Sequence, residues 1–261
     1  MSARLLEAAG LSVRFGGVRA LDGLDLHLDE GETLGLIGPN GSGKTTCFNT
    51  ITGFVLPSGG TVRFAGQDIT ALAPRHVAHR GIARTFQRLR LLSELSVFDN
   101  LMLGQHLTLD HGIWSNLLRR SRLREAIERQ AAEARTLLGY FSATLPARLH
   151  EPVSALTMID RRRVEVCRAL ARSPRLLLLD EPSAGMTPDE TAELMRDIQN
   201  VKAARPELAV ILIEHDMAVI ERVSARCVVL DYGRKIADGS YTQVTRDPAV
   251  RRAYLGEEAD A

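Results

Sequence analysis

The sequence predicts an α/β fold with a mainly parallel sheet, an N-terminal antiparallel β part and a helical subdomain, on three observations. The N-terminal stretch alternates apolar and polar residues at Leu24, Leu26 and Leu28, turns at Glu30-Gly31 and resumes as TLGLIG, which reads as adjacent strands. Further along, LLLLD and AVILIEH are short, continuous apolar runs of the kind found in strands covered on both faces. Between those runs a helix announces its start. Thr187 is its N-cap, Pro188 takes the first helical position, Glu190 completes a capping box, and Leu194, Ile198 and Val201 form one buried stripe. A helix alternating with buried strands gives a parallel sheet.

The remaining elements fit around this frame. A glycine-rich loop follows TLGLIG at once, a helix candidate ends near Gly53, and TVRFAG reads as a further short strand. From Leu123 to Leu138, apolar residues at Leu123, Ile127, Ala134 and Leu138 have the spacing of an amphipathic helix. Residues from about 88 to 163 therefore read as a helical insertion in a core made of 1–87 and 164–261, the whole being one domain. No internal repeat breaks the pattern.

Composition narrows the function classes. With 261 residues and 45% hydrophobic content the chain supplies a sizeable core. Lys+Arg 33 against Asp+Glu 32 leaves a formal charge of +1, so no global field draws it to nucleic acid or an anionic membrane. Cys47, Cys167 and Cys227 lie far apart without metal-ligand spacing, which fits buried thiols in a reducing compartment. No stretch reaches the roughly 20 apolar residues of a membrane span, and no apolar signal core opens the chain. Any link to a membrane is expected to run through a partner.

The chemistry concentrates in a few places. Gly38-Pro39-Asn40-Gly41-Ser42-Gly43-Lys44-Thr45 fits the phosphate-binding pattern G-x-x-x-x-G-K-S/T between a strand and a helix. Glycines there let backbone N–H groups turn toward phosphates, Lys44 adds a point charge, Thr45 can ligate Mg²⁺, and the helix N-terminus favours the anion. Kinases, GTPases and ATPases share such a loop, so a second acidic site has to discriminate. Asp180 ends an apolar strand and can hold Mg²⁺, while Glu181 beside it can orient the attacking water. A guanine-reading N-K-x-D pattern is absent. His215 follows the strand AVILIE, where an imidazole can touch a γ-phosphate; Gln87 in RTFQ can sense metal and water; Phe15 in VRFGG can stack on adenine. Each is ordinary alone, and their order carries the weight.

That order resembles the ATP-binding subunits of ABC transporters. Phe15, the loop at 38 to 46 with Thr46, Gln87, LLLLDEP, SAGMTP at 183 to 188 and the EHD of residues 214 to 216 are similar to the family's full motif set over nearly the whole chain. TGF after the loop helix, RTFQRLRLLSELSVFDNL, IEHDM and the tail RAYLGEE look like the longer ATPase of branched-chain amino-acid importers; lipopolysaccharide-export ATPases have a similar tail, and urea or short-amide importers closely similar ATPases. The resemblance implies ATP and Mg²⁺ as cofactors, with Thr45, Gln87 and Asp180 at the metal and Glu181, His215 and Gln87 catalytic. It also implies a second ABC ATPase subunit, two transmembrane permease subunits, an extracytoplasmic solute-binding protein, a place on the cytoplasmic face of the plasma membrane, and no nucleic-acid partner. A soluble ABC-type ATPase of DNA repair or translation is the rival class, but neither long coiled coils nor a second cassette is visible. A P-loop kinase would leave Gln87 and His215 unexplained.

One segment departs from the family. Its L-S-G-G-Q-like signature falls on Leu156-Thr157-Met158-Ile159-Asp160, with Arg162 and Arg163 matching the usual basic pair. In the family this signature closes on ATP held by the other subunit. A side chain where glycine is usual is expected to intrude on the phosphate, and loss of one transition-state donor costs about 10²- to 10³-fold in rate. The expectation is an asymmetric heterodimer, in which the chain's own loop is competent and its own signature, at Ile159, works poorly. Accommodation of Ile159 by a shifted backbone, or a weakened paralogue, are the alternatives.

Other features receive plainer readings. Arg119, Arg120, Arg122 and Arg124 form a solvated face or a contact with lipid headgroups or a permease. Leu89 to Leu95 lie where the family receives a permease loop. Trp114 is expected in the core of the insertion, and His76 and His79 lack the neighbouring ligands that zinc needs.

Overall fold

The computed structural model describes residues 4–105 and 120–259. The chain divides into two compact units, the first built from Met1–Phe86, Arg175–Pro182 and Arg205–Ala261, the second from Gln87–Pro174 and Ser183–Ala204.

The first unit holds both sheets. Strands β1 (Arg4–Phe15) and β2 (Val18–Asp29) pair antiparallel, and β4 (Gly59–Phe64) and β5 (Gln67–Asp68) extend them to a four-stranded sheet of order β2-β1-β4-β5. Their alternation has its expected consequence: Leu24, Leu26 and Leu28 are buried while the residues between them are less so. The second sheet has six strands in the order β10-β9-β3-β8-β7-β6. Here β3 (Thr33–Ile37), β6 (Ile82–Arg84), β7 (Leu176–Asp180), β8 (Ala209–Ile213) and β9 (Arg226–Asp231) run parallel, and β10 (Arg234–Gly239) closes the edge antiparallel to β9. Every residue of β7 and β8 is buried, which is what their unbroken apolar runs require. Each fully buried Leu or Ile contributes about 1.5–3 kcal/mol. One apolar core runs through this unit, from Leu5 and Leu6 to Phe48, Leu178 and Leu230. Helix α1 (Lys44–Ile51) follows β3, and α2 (Pro74–His79) precedes β6.

The second unit is helical. It contains α3 (Val97–Gln105), α4 (Arg120–Gly139), α5 (Met158–Leu170) and α6 (Pro188–Ala204). Gly104 lets α3 approach α5, since a Cβ there would lie 2.5 Å from the Arg168 carbonyl oxygen. The start of α6 is the one the sequence announces. Thr187 Oγ1 accepts from Glu190 N at 3.3 Å, Glu190 Oε2 accepts from Thr187 N at 2.9 Å, and Leu194, Ile198 and Val201 are buried.

Two expectations need correction. The helical unit reaches beyond 88–163, because residues 164–174 and 183–204 belong to it. Arg163 of α5 is ion-paired with Glu193 and Asp197 of α6, so these helices form one body. Ile127 is 45% exposed, and among the described side chains of α4 the buried ones are Ala131, Ala134, Leu137 and Leu138. Trp114 and Arg119 lie outside the described residues, as do the side chains of Arg120, Arg122, Leu123 and Arg124. In the first unit, α8 (Tyr241–Arg246) opens on a capping box between Ser240 and Gln243 and leads to α9 (Pro248–Ala259). Before them, α7 (Met217–Val223) is capped by Asp216, which accepts from Ala218 N at 2.8 Å.

Candidate functional site

The parallel strands β3, β7 and β8 end on one edge of the sheet, so the segments after them converge by topology alone. After β3 comes the glycine loop. Gly38 has φ 146° and Gly43 has φ 105°. A Cβ at Gly38 would stand 2.1 Å from the Leu230 carbonyl oxygen, and one at Gly43 would stand 2.5 Å from that of Ala20. Backbone conformation and space both demand glycine at these two points. Helix α1 starts at Lys44, so its N-terminus faces the loop. Lys44 is buried and folds back, its Nζ donating to the Gly38 carbonyl at 2.6 Å and the Pro39 carbonyl at 2.8 Å. Asn40, Gly41 and Thr45 are exposed, Thr46 is half-buried and Ser42 is buried. Phe15 ends β1 and is 52% exposed, an aromatic face left to solvent.

After β7 and β8 come the acids and the histidine. Glu181 has φ 48°, in the left-handed region that non-glycine residues rarely adopt, and its N–H donates to the Ile213 carbonyl at 3.0 Å. This places Glu181 Oε1 2.8 Å from His215 Nε2. With the carboxylate accepting, Nε2 carries the proton. The imidazole is half exposed. Asp180, one residue earlier, is 3% exposed, and its Oδ2 accepts from Arg84 at 2.7 Å. Asp180 Oδ1 lies outside that pair. A carboxylate oxygen here and the exposed Thr45 hydroxyl are the hard donors that magnesium takes alongside phosphate and water, so the residues present fit that ion.

The other expected site residues lie in the helical unit. Gln87 opens it, exposed, with its carbonyl accepting from Arg162 at 3.3 Å. Thr157 caps α5 by accepting from Asp160 N at 3.3 Å. Asp160 is buried and pairs with Arg163 at 3.0 Å, with Arg148 at 3.7 Å behind it. Ile159 is 8% exposed, covered by the chain itself. Burial of a β-branched apolar side chain is worth about 1.5–3 kcal/mol, so the first turn of α5 turns it inward. The exposed side chain at this helix start is Met158, at 45%.

Two sets of residues escaped the sequence reading. Arg84 pairs with Asp180, and its side chain is only 6% exposed; the available signal was an arginine at the end of a short strand, which needs an acceptor when that strand is covered. Arg163, one of the basic pair after the signature segment, meets three carboxylates, Asp160, Glu193 and Asp197.

A phosphate loop of this build, on a parallel sheet whose next strands deliver an acid pair and a histidine, defines a P-loop nucleotide-binding protein. Comparison with known proteins narrows the class. Residues 21–184 match the family described as ABC transporter, and residues 234–260 match one described as branched-chain amino acid ATP-binding cassette transporter. The chain therefore belongs to the ABC transporter family, among its ATP-binding, ATP-hydrolysing subunits. It is 39% identical over 258 residues to the high-affinity branched-chain amino acid transport ATP-binding protein BraF of Pseudomonas aeruginosa, covering 98% of this chain and 100% of that one. It is 40% identical over 257 residues to LivG of Escherichia coli, a protein of the same description, with 98% and 100% covered. Among solved structures, the ADP conformation of an ATP-binding cassette of an ABC transporter superposes with a TM-score of 0.83 at 29% identity, over 98% of this chain and 100% of that one.

Proposed function

We propose that this chain is an ATPase subunit that powers the import of branched-chain amino acids. The full-length likeness to BraF and LivG and the match of residues 234–260 support that substrate class. No helix of the described residues is long and apolar enough to cross a membrane. The subunit works at the cytoplasmic face beside a second ABC ATPase subunit, two permease subunits and an extracytoplasmic solute-binding protein. The solute is chosen by those partners.

The observation that carries the chemistry is the 2.8 Å contact between Glu181 and His215, at the same sheet edge as the phosphate loop. Glu181 holds the attacking water and takes up its proton. His215 fixes the Glu181 carboxylate and faces the developing negative charge on the γ-phosphate. Lys44 exchanges its loop carbonyls for phosphate oxygens, while the N–H groups from Asn40 to Thr46 cradle the anion. Phe15 stacks on adenine. Thr45 and Asp180 would hold magnesium, which would supply neutralisation of phosphate charge. Thr157, Met158, Ile159 and Asp160 form the signature segment presented to the partner's nucleotide, and the burial of Ile159 favours a signature that still admits phosphate over one blocked by that side chain.

The test is reconstitution of the chain with its permeases and binding protein in vesicles. ATP hydrolysis stimulated by leucine, isoleucine or valine on the binding protein is the expected result. Stimulation by urea or short amides alone would move the assignment to another solute class.

A further inference from the structure

Arg84 sits where the phosphate-binding helix and the acidic strand meet, and the roles assigned above do not use it. It ends β6, beside β7 in the sheet. One end of its guanidinium donates to Asp180 Oδ2 at 2.7 Å; the other donates to Asn49 Oδ1 at 2.7 Å and reaches Thr52 Oγ1 at 3.4 Å, both on or next to α1. The guanidinium carbon lies over two rings, 5.4 Å from the centroid of Phe48 and 5.0 Å from that of Phe86. Phe86 in turn meets Phe54 edge to face at 5.9 Å. Buried Nε makes no hydrogen bond, so the fork is aimed by its two termini and the two ring contacts. A lysine could not copy this, because a single ammonium lacks the two-ended planar geometry.

We propose that Arg84 is a positioning residue for the metal–nucleotide complex: it fixes one oxygen of Asp180 to α1, leaves the other for magnesium, and so sets how much magnesium the nucleotide requires. The inference rests on the reading of Asp180 as a metal-holding carboxylate. Two effects follow from the geometry. The positive charge beside Asp180 weakens its attraction for a divalent cation, so the site is tuned away from the tightest possible metal binding. The same contact orients the carboxylate relative to the helix that carries Lys44 and Thr45, so the metal is presented in one geometry. Removing Arg84 therefore separates the two effects in opposite directions, which a residue of merely structural importance would not do.

The experiment titrates Mg²⁺ against binding of a fluorescent N-methylanthraniloyl-ADP to the purified chain at pH 8, for the parent, Arg84→Met, Arg84→Lys and Asp180→Asn, and follows ATP turnover of the first three in parallel. For Arg84→Met the half-saturating Mg²⁺ concentration is expected to fall about tenfold, while turnover at saturating Mg²⁺ falls. Arg84→Lys keeps the charge and loses the fork, so its Mg²⁺ requirement stays near the parent's while turnover drops. An unchanged Mg²⁺ requirement in a folded Arg84→Met chain overturns the proposal and leaves a structural ion pair. Should that variant not fold, Arg84→Lys decides: parental turnover overturns the proposal. A parental Mg²⁺ requirement in Asp180→Asn strikes the reading of Asp180 instead, which separates the two failures.

Discussion

Glu181 Oε1 and His215 Nε2 lie 2.8 Å apart, joining the residues that follow two neighbouring parallel strands. The contact depends on the left-handed backbone of Glu181, a conformation that costs about 1–3 kcal/mol and persists because the β7 and β8 registers hold it on both sides. Glu181→Gln keeps the shape and removes the base proposed above. Hydrolysis is expected to fall at least about 10²-fold with ATP binding retained, and ATP-bound dimers should accumulate on gel filtration. His215→Ala should lower turnover without abolishing nucleotide binding. Parental turnover in Glu181→Gln would remove Glu181 from the mechanism.

Arg163 is the second point where a single side chain decides a geometry. It pairs with Asp160 at 3.0 Å, with Asp197 at 2.9 Å and with Glu193, and so ties the start of α5 to α6. Arg163→Met would strand Asp197 without its cation and leave Asp160 only Arg148 at 3.7 Å, and breaking a buried pair in this way costs about 3–5 kcal/mol. Burial already raises the Asp197 carboxyl above its ordinary value of 3.8, although Arg163 pulls the other way. An acid raised in the folded state contributes stability fully present below its unfolded pKa and lost as pH rises through the folded one. The variant should therefore regain part of its loss as the pH falls from 8 toward 5, and urea unfolding at several pH values measures it. A loss independent of pH would mean that Asp197 finds another partner.

How much of this was legible beforehand depends on whether the cause was local. The phosphate loop, the Thr187–Glu190 capping box and the unbroken apolar strands each follow from residues within one turn or one strand, and the structure has all three. Arg84 and Asp180 are 96 positions apart, so only the pairing of β6 with β7 brings them together. The inward turn of Ile159 was illegible for the same reason: motif alignment gives a residue's place in a helix, whereas tertiary packing gives the face it buries. Ile127 failed in the opposite sense, as it has the helical spacing yet lies 45% exposed.

Leu92 carries a prediction about coupling. It is 52% exposed, and its backbone is pinned on both sides by buried Asn100, whose Oδ1 accepts from Leu92 N at 2.9 Å and whose Nδ2 donates to Leu92 O at 3.0 Å. An apolar side chain held outward on a rigid anchor suits a partner better than solvent. Replacing both Leu91 and Leu92 by alanine should leave ATP turnover of the isolated chain within about twofold of the parent, since surface changes are mild, while solute uptake by the assembled transporter is lost. Unchanged uptake would place the permease contact elsewhere.

Ile159→Gly tests the signature. Because Ile159 is 8% exposed, the substitution deletes a buried side chain at a cost of about 2–5 kcal/mol and adds about 1 kcal/mol of backbone freedom. The expected outcome is a lower melting temperature and no rise in ATP turnover. An order-of-magnitude gain in turnover would mean that Ile159 leaves its buried place when two subunits close.

The three thiols give a measurement of whether this packing holds in solution. Cys47, Cys167 and Cys227 are each 0% exposed. Burial pushes the Cys47 thiol up to about 12, against the opposing pull of Arg84, and the Cys227 thiol up to about 11, against that of Arg226. Only the thiolate attacks a disulfide reagent, so at pH 8 the reactive fraction is about one in ten thousand at Cys47 and about one in a thousand at Cys227. Ellman's reagent should therefore find almost no thiol in the native chain and three in denaturant. The native rate should keep climbing through pH 10, where an ordinary exposed thiol with a pKa near 8.5 has already levelled off. Rapid modification of one equivalent at pH 8, traced to Cys47 by mass spectrometry, would show that α1 opens on its own, and the phosphate loop would then be ordered by its ligand instead of by the glycine contacts at Gly38 and Gly43.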